Sequence, residues 1–146
     1  MEFSERFERE FMNRTLNLVK QYEGPHDATL LLNCLLGLLI VPKETSADRI
    51  PLDPLADLAK WGISPKSIIS AGNQNLSNRY PETLRGIVHN LRNSVAHFRF
   101  KPLHKDEVVI GFEFKDENGF KAVIDIPEMR IFVEKLAEFL SRDGSG

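Results

Sequence analysis

A single cysteine in 146 residues, Cys34, rules out an internal disulfide and any cysteine-rich zinc site. Charge of one sign is not in excess either, with 19 basic residues against 21 acidic ones and a net charge of −2. Contact with nucleic acid must then come from a local basic patch, because the molecule as a whole is not positive. Long apolar runs are missing as well. The longest, Thr29 to Val41, is too short to span a bilayer and stops at Pro42, so no membrane partner is expected. The segment MEFSERFEREF is too charged for a secretory signal, and together with the lone thiol it points to a reducing, cytoplasmic location. There is no glycine-rich phosphate loop ahead of a helix, no Ser/His/Asp ordering in local context and no paired-carboxylate motif. His89 and His97 are about two helical turns apart with no carboxylate at i+4 on their face, so neither metal nor cofactor is expected.

What is present is the composition of a soluble globular chain, 42% hydrophobic and 27% charged. Its length suits one domain, residues 1–146, with an ordered core over about 3–141. Phe3, Phe7, Phe11, Leu18 and Tyr22 recur at helical spacing until Gly24-Pro25 breaks the pattern. A second helix, from about Asp27 to Val41, is apolar nearly all round and should be central, with Cys34 a small buried hydrophobe and Asn33 a satisfied core amide. Short helical pieces are expected near Pro54–Trp61 and Pro65–Ala71, and the turn-rich stretch Gly72 to Tyr80 should be exposed. Beyond Pro102 the period changes to alternation. A hairpin over about residues 107–126, turning at Asn118-Gly119, precedes a last helix opened by Pro127 with Met129, Phe132, Val133, Leu136, Phe139 and Leu140 on one side. The fold class expected is mainly α, an up-and-down bundle with one inserted β-hairpin.

The stretch from Pro81 to about Arg99 reads as a strongly amphipathic helix. At about 100° per residue with Arg92 as origin, Asn93 falls near about 100°, Ala96 near about 40° and His97 near about 140°. Leu84, Ile87, Val88, Leu91, Val95 and Phe98 gather between about 220° and about 320°. Packing explains the second face and leaves a guanidinium, an amide and an imidazole on the first. An Arg five positions before a His is weak evidence alone, since ten arginines and four histidines give on the order of 0.3 such pairs by chance. Arg99 and His104 share the spacing, but Pro102 between them forbids one unbroken helix.

Arg92, Asn93 and His97, late in an amphipathic helix of a helical protein, resemble the signature of the HEPN superfamily: Arg, a polar residue, three to five further residues, then His. The apolar helix TLLLNCLLGLLIVPKE is similar to the second helix of a bacterial branch of that superfamily. The resemblance covers residues 3 to 141, and the hairpin departs from the plain bundle. It implies a metal-independent endoribonuclease, working as a homodimer whose two motifs share a cleft, in a toxin–antitoxin or defence setting with an antitoxin or other regulator as partner.

In chemical terms the resemblance implies that His97 is general base or acid, that Arg92 holds the non-bridging oxygens, and that Asn93 orients the His or the scissile phosphate. The products would carry 2′,3′-cyclic phosphate and 5′-hydroxyl ends. Arg85, His89, Arg99 and Lys101 extend the polar face and are candidate RNA contacts; Gly86 and Ala96 are small enough to admit a partner helix or an RNA backbone. The competing reading of the trio is a solvated cluster near a helix C-terminus, where positive charge is favourable in any case. A catalytically inactive dimer that binds RNA, a nucleotide or a protein partner is the functional alternative.

Overall fold

The computed structural model describes residues 3–21, 27–40, 50–76 and 78–143. The protein is an α+β structure, not a mainly-α bundle with an inserted hairpin: a four-stranded antiparallel sheet packs against its helices. Helix α1 (Phe3–Gln21) and helix α2 (Asp27–Ile40) come first. A 3-10 helix (Leu55–Trp61), a 3-10 turn (Pro65–Ser67) and the short strand β1 (Ile68–Ser70) lead to helix α3 (Leu84–Ala96). Strands β2 (Phe100–Lys105), β3 (Val108–Lys115) and β4 (Lys121–Asp125) follow, and helix α4 (Ile126–Asp143) closes the chain. Among the described residues no helix is long and apolar enough to cross a membrane.

The hairpin at Asn118-Gly119 forms as expected, with Gly119 at φ +93°. The sheet grows beyond it on both sides, in the order β1-β4-β3-β2. Strand β2 escapes a reading by alternation because it carries Pro102 and its polar residues do not alternate with apolar ones. As the outermost strand it tolerates a residue without an N–H, and Pro102 pairs with Phe112 across from β3. Its connection to β3 is a two-residue turn, Asp106 at φ +52° and Glu107 at φ +68°. Hairpin geometry demands positive φ at both positions, and Asp-Glu gives no sequence sign of it. Strand β1, expected as part of a helical piece, is held by pairing Ile68 with Ala122 of β4.

One face of the sheet and one face of each helix make the core. Phe112, Phe114, Phe120, Ala122 and Ile124 are buried against Leu84, Ile87, Leu91 and Val95 of α3 and Met129, Phe132, Val133 and Leu136 of α4. Cys34 is buried as expected. Asn33 is exposed, not a core amide. Among the described side chains of α1, Met12, Thr15 and Val19 are buried, while Leu18 points to solvent. Helix α4 is set by a reciprocal cap in which the Glu128 amide donates to Asp125 Oδ1 (2.8 Å) and the Asp125 amide to Glu128 Oε1 (3.2 Å).

Helix α3 starts at Leu84 and not at Pro81, because Thr83 is the better cap. Its Oγ1 accepts from the Gly86 amide (3.2 Å) and donates to the Tyr80 carbonyl (2.7 Å). The free amides of Leu84 and Arg85 donate to the carbonyls of Asp53 and Pro51. The Tyr80–Pro81 backbone consequently lies directly on Gly86. A methyl group there would run into the Tyr80 carbonyl oxygen and come within 2.7 Å of Pro81 Cα. Gly86 is buried against its own chain and is not a door for a partner helix or RNA. Gly86→Ala should lower stability by about 2 kcal/mol despite the roughly 1 kcal/mol gained in helix propensity. Urea unfolding measures this directly, and an unchanged midpoint would contradict such close packing.

Candidate active site

The apolar stripe of α3 is as expected through Val95, and then the helix stops. His97 is its C-cap, at φ −103° and ψ 11°, and its amide still donates to the Asn93 carbonyl (3.0 Å). The Phe98 amide donates to Val95 (3.2 Å) and the Arg99 amide to Ser94 (2.7 Å). With Phe98 at φ +54°, this is a Schellman closure in which a phenylalanine takes the place usually given to glycine. Phe98 therefore leaves the core stripe assigned to it and stands 84% exposed. Nothing in the residue pattern warns of this, since the usual sign of such an ending is a glycine.

Beneath the turn, Ser94 is fully buried and joins the helix end to the sheet. Its Oγ donates to the Arg99 carbonyl (2.9 Å) and accepts from the Lys115 amide (3.2 Å). About one turn earlier, amides serve the same purpose. Asn90 Oδ1 accepts from Asn78 Nδ2 (3.1 Å) and Asn118 Nδ2 (3.2 Å), and its own Nδ2 donates to the Ala71 carbonyl (3.0 Å). Asn78 is thus buried, although its turn-rich stretch reads as surface. Sequence reasoning misses these residues. The available signal is weak: Asn90 and Ser94 are poor helix formers at the border of the apolar stripe.

The motif trio divides under this framework. Asn93 Nδ2 donates to Asp116 Oδ2 (3.2 Å) and lies 3.3 Å from His89 Nε2. A carboxylate only accepts, so the amide nitrogen is the donor to both. His89 Nε2 is then unprotonated and the ring proton sits on Nδ1. Asn93 is therefore tied to His89 and Asp116, not to His97. The half-buried Arg92 and the exposed His97 make no side-chain hydrogen bond or ion pair among the described residues. Ala96, exposed beside them on the same helix, leaves the surface between them low.

The four flanking candidates are mostly engaged within the protein. Arg85 Nε donates to the Ile50 carbonyl (2.9 Å) near the other end of α3. Arg99 pairs with Asp116 (3.3 Å) and Glu117 (2.7 Å). Lys101 reaches Glu113 (3.4 Å), which also receives Lys115 (3.2 Å) and Lys121 (3.8 Å). Asp116, not singled out in the sequence, is the hub that joins Asn93 to Arg99.

Burial pushes the His89 imidazole below its ordinary value of 6.5; Asp116 opposes the shift and Arg92 adds to it. A histidine depressed in this way contributes stability that is complete above the ordinary value. That contribution is lost as pH falls from there through the folded value, where the unfolded chain binds the proton more readily. NMR titration should place His89 below 6.5, Arg92→Ala should move it up and Asp116→Asn should move it further down. A shift of the opposite sign in either variant would contradict this electrostatic balance.

Comparison with known proteins bears on this arrangement. No curated protein and no solved structure matches the chain. The family model described as HEPN pEK499 p136 matches residues 1–145, spanning the motif helix, the four-stranded sheet and the closing helix. The chain belongs to the HEPN superfamily, in the family described as HEPN pEK499 p136.

Proposed function

We propose that this HEPN protein is a metal-independent endoribonuclease that cleaves RNA by attack of a 2′-hydroxyl on the adjacent phosphorus. The observation that carries the reading is that the Arg92 and His97 side chains are left without partners among the described residues, while those of their neighbours Asn93, Ser94 and Arg99 are all bonded. A half-buried guanidinium with no carboxylate partner among the described residues has its planar fork available for two phosphate oxygens. An exposed imidazole on the same helix is open to a bound strand and is a chemical group that can take or give a proton.

The chemistry follows from those two groups. Unprotonated His97 takes the proton of the 2′-hydroxyl as its oxygen bonds to phosphorus. Arg92 stabilises the negative charge that grows on the non-bridging oxygens. The bond to the 5′-oxygen then breaks, and that oxygen needs a proton. The imidazole beside the 2′-hydroxyl is badly placed to deliver it to the opposite side of the phosphorus. A homodimer with two motifs facing one cleft divides the work, one His97 as base and the other as acid. Asn93 is a positioning residue in this scheme, since its amide is spent on His89 and Asp116.

Labelled RNA incubated with purified protein in excess chelator tests the proposal. The wild type should leave 2′,3′-cyclic phosphate ends, and Arg92→Ala and His97→Ala should each lose at least about 100-fold in rate with the fold intact. Cleavage surviving both substitutions, or binding with no cleavage at all, would contradict it.

A further inference from the structure

The ring of Phe98 calls for a separate explanation. A large apolar side chain, 84% exposed, sits at a positive φ where glycine is the comfortable residue. It is not loose. Its ring stacks on Phe100 with centroids 6.3 Å apart and planes 26° from parallel. Phe100 in turn lies 6.4 Å from Phe112 and 6.2 Å from Phe114, both buried in the sheet. An aromatic ladder thus runs from the core to the surface and ends in a ring directly after His97.

The surroundings of that ring are cationic. Phe98, Arg99, Phe100, Lys101, Glu113 and Lys115 line an open groove of about 310 Å³. Glu113 is the acidic member, and it is shared by Lys101, Lys115 and Lys121. One carboxylate cannot neutralise three ammonium groups, so the cluster keeps a surplus of positive charge. An anchored aromatic face beside surplus lysines is the combination that single-stranded nucleic acids bind: bases stack on the ring and phosphates meet the cations. The surplus charge argues for a phosphate-bearing occupant over a second copy of this chain, whose own groove would be equally positive.

We infer that Phe98 is a stacking platform for an unpaired base next to the cleaved phosphodiester, with Lys101 and Lys115 holding the following phosphate, so that the substrate is single-stranded RNA. The inference rests on the ribonuclease reading above and deepens it. In the double helix a base is sandwiched by its neighbours and has no free face to offer Phe98. In a single strand it has one, and stacking fixes the strand relative to His97. The lysines reach the phosphate by releasing Glu113, which keeps Lys121 as its partner.

The test uses binding, so that it stands apart from catalysis. A short oligoribonucleotide carrying 2-aminopurine is titrated into the full-length His97→Ala protein, alone and combined with Phe98→Gly, Phe98→Leu or Phe98→Trp. Stacking quenches the fluorophore in His97→Ala and in the Phe98→Trp combination. Quenching should vanish and affinity fall about tenfold with glycine or leucine. Leucine keeps the bulk and the backbone constraint but lacks an aromatic face, and glycine relaxes the turn, so the glycine variant should be no less stable in urea. Quenching that persists in Phe98→Leu, or tighter binding of duplex than of single strand, would overturn the inference. So would conversion of a dimer to a monomer by Phe98→Gly in size-exclusion chromatography, which would make the ring an interface between copies. Cleavage that depends on Arg92 and His97 but ignores Phe98 would sink this inference alone, whereas absence of both RNA binding and cleavage would sink the ribonuclease reading with it.

Discussion

The closing turn of helix α3 is the constraint on which the rest depends. Three carbonyls that the helix would leave open, those of Asn93, Ser94 and Val95, are taken up by the amides of His97, Arg99 and Phe98. Ser94 then locks the turn to β3 through the Lys115 amide, and that amide also donates to the Arg99 carbonyl (2.9 Å). The helix end is thereby welded to the central part of the sheet. If the helix ran on to Arg99, Phe98 would enter the core and strand β2 could not begin at Phe100. A phenylalanine at positive φ is tolerated because the turn satisfies the backbone groups around it.

That weld sorts the polar groups of the helix into two kinds. Asn90, Ser94 and Asn93 face other chain segments, and their hydrogen bonds hold Ala71, Asn78 and the residues around Asp116 against α3. The half-buried Arg92 and the exposed His97 make no side-chain hydrogen bond or ion pair among the described residues. In the proposed ribonuclease, the bonds of the first set fix the helix end that carries the second. His89 belongs with the first set. Burial pushes its imidazole below the ordinary value, which suits an acceptor role for its Nε2 toward Asn93.

The chain's own pattern reveals those features that depend on long, regular periodicity. Helices α1, α2 and α4, the stripe from Leu84 to Val95, the burial of Cys34 and the Asn118-Gly119 turn all follow from spacing or turn chemistry. What it hides depends on local exceptions. An edge strand built around Pro102, a tight turn made of Asp106 and Glu107, and a helix closed by Phe98 each place a residue where its type is uncommon. Those three exceptions conceal the sheet and so make an α+β protein look like a bundle. Arg92, Asn93 and His97 stand out in the sequence because they lie off the apolar stripe of an amphipathic helix. Asp116, which bonds Asn93, and Asn118, which bonds Asn90, do not, since only the folded sheet brings them to the helix from 23 and 28 residues further on.

The ribonuclease reading turns most directly on where a phosphodiester sits. A crystal structure of the protein with a 2′-deoxy oligonucleotide, which lacks the attacking hydroxyl and so stays intact, locates it. One phosphate should lie within hydrogen-bond reach of the Arg92 guanidinium, with a His97 imidazole at that same group. A strand bound elsewhere, with Arg92 and His97 facing solvent or buried in a contact that excludes nucleic acid, would contradict the ribonuclease reading.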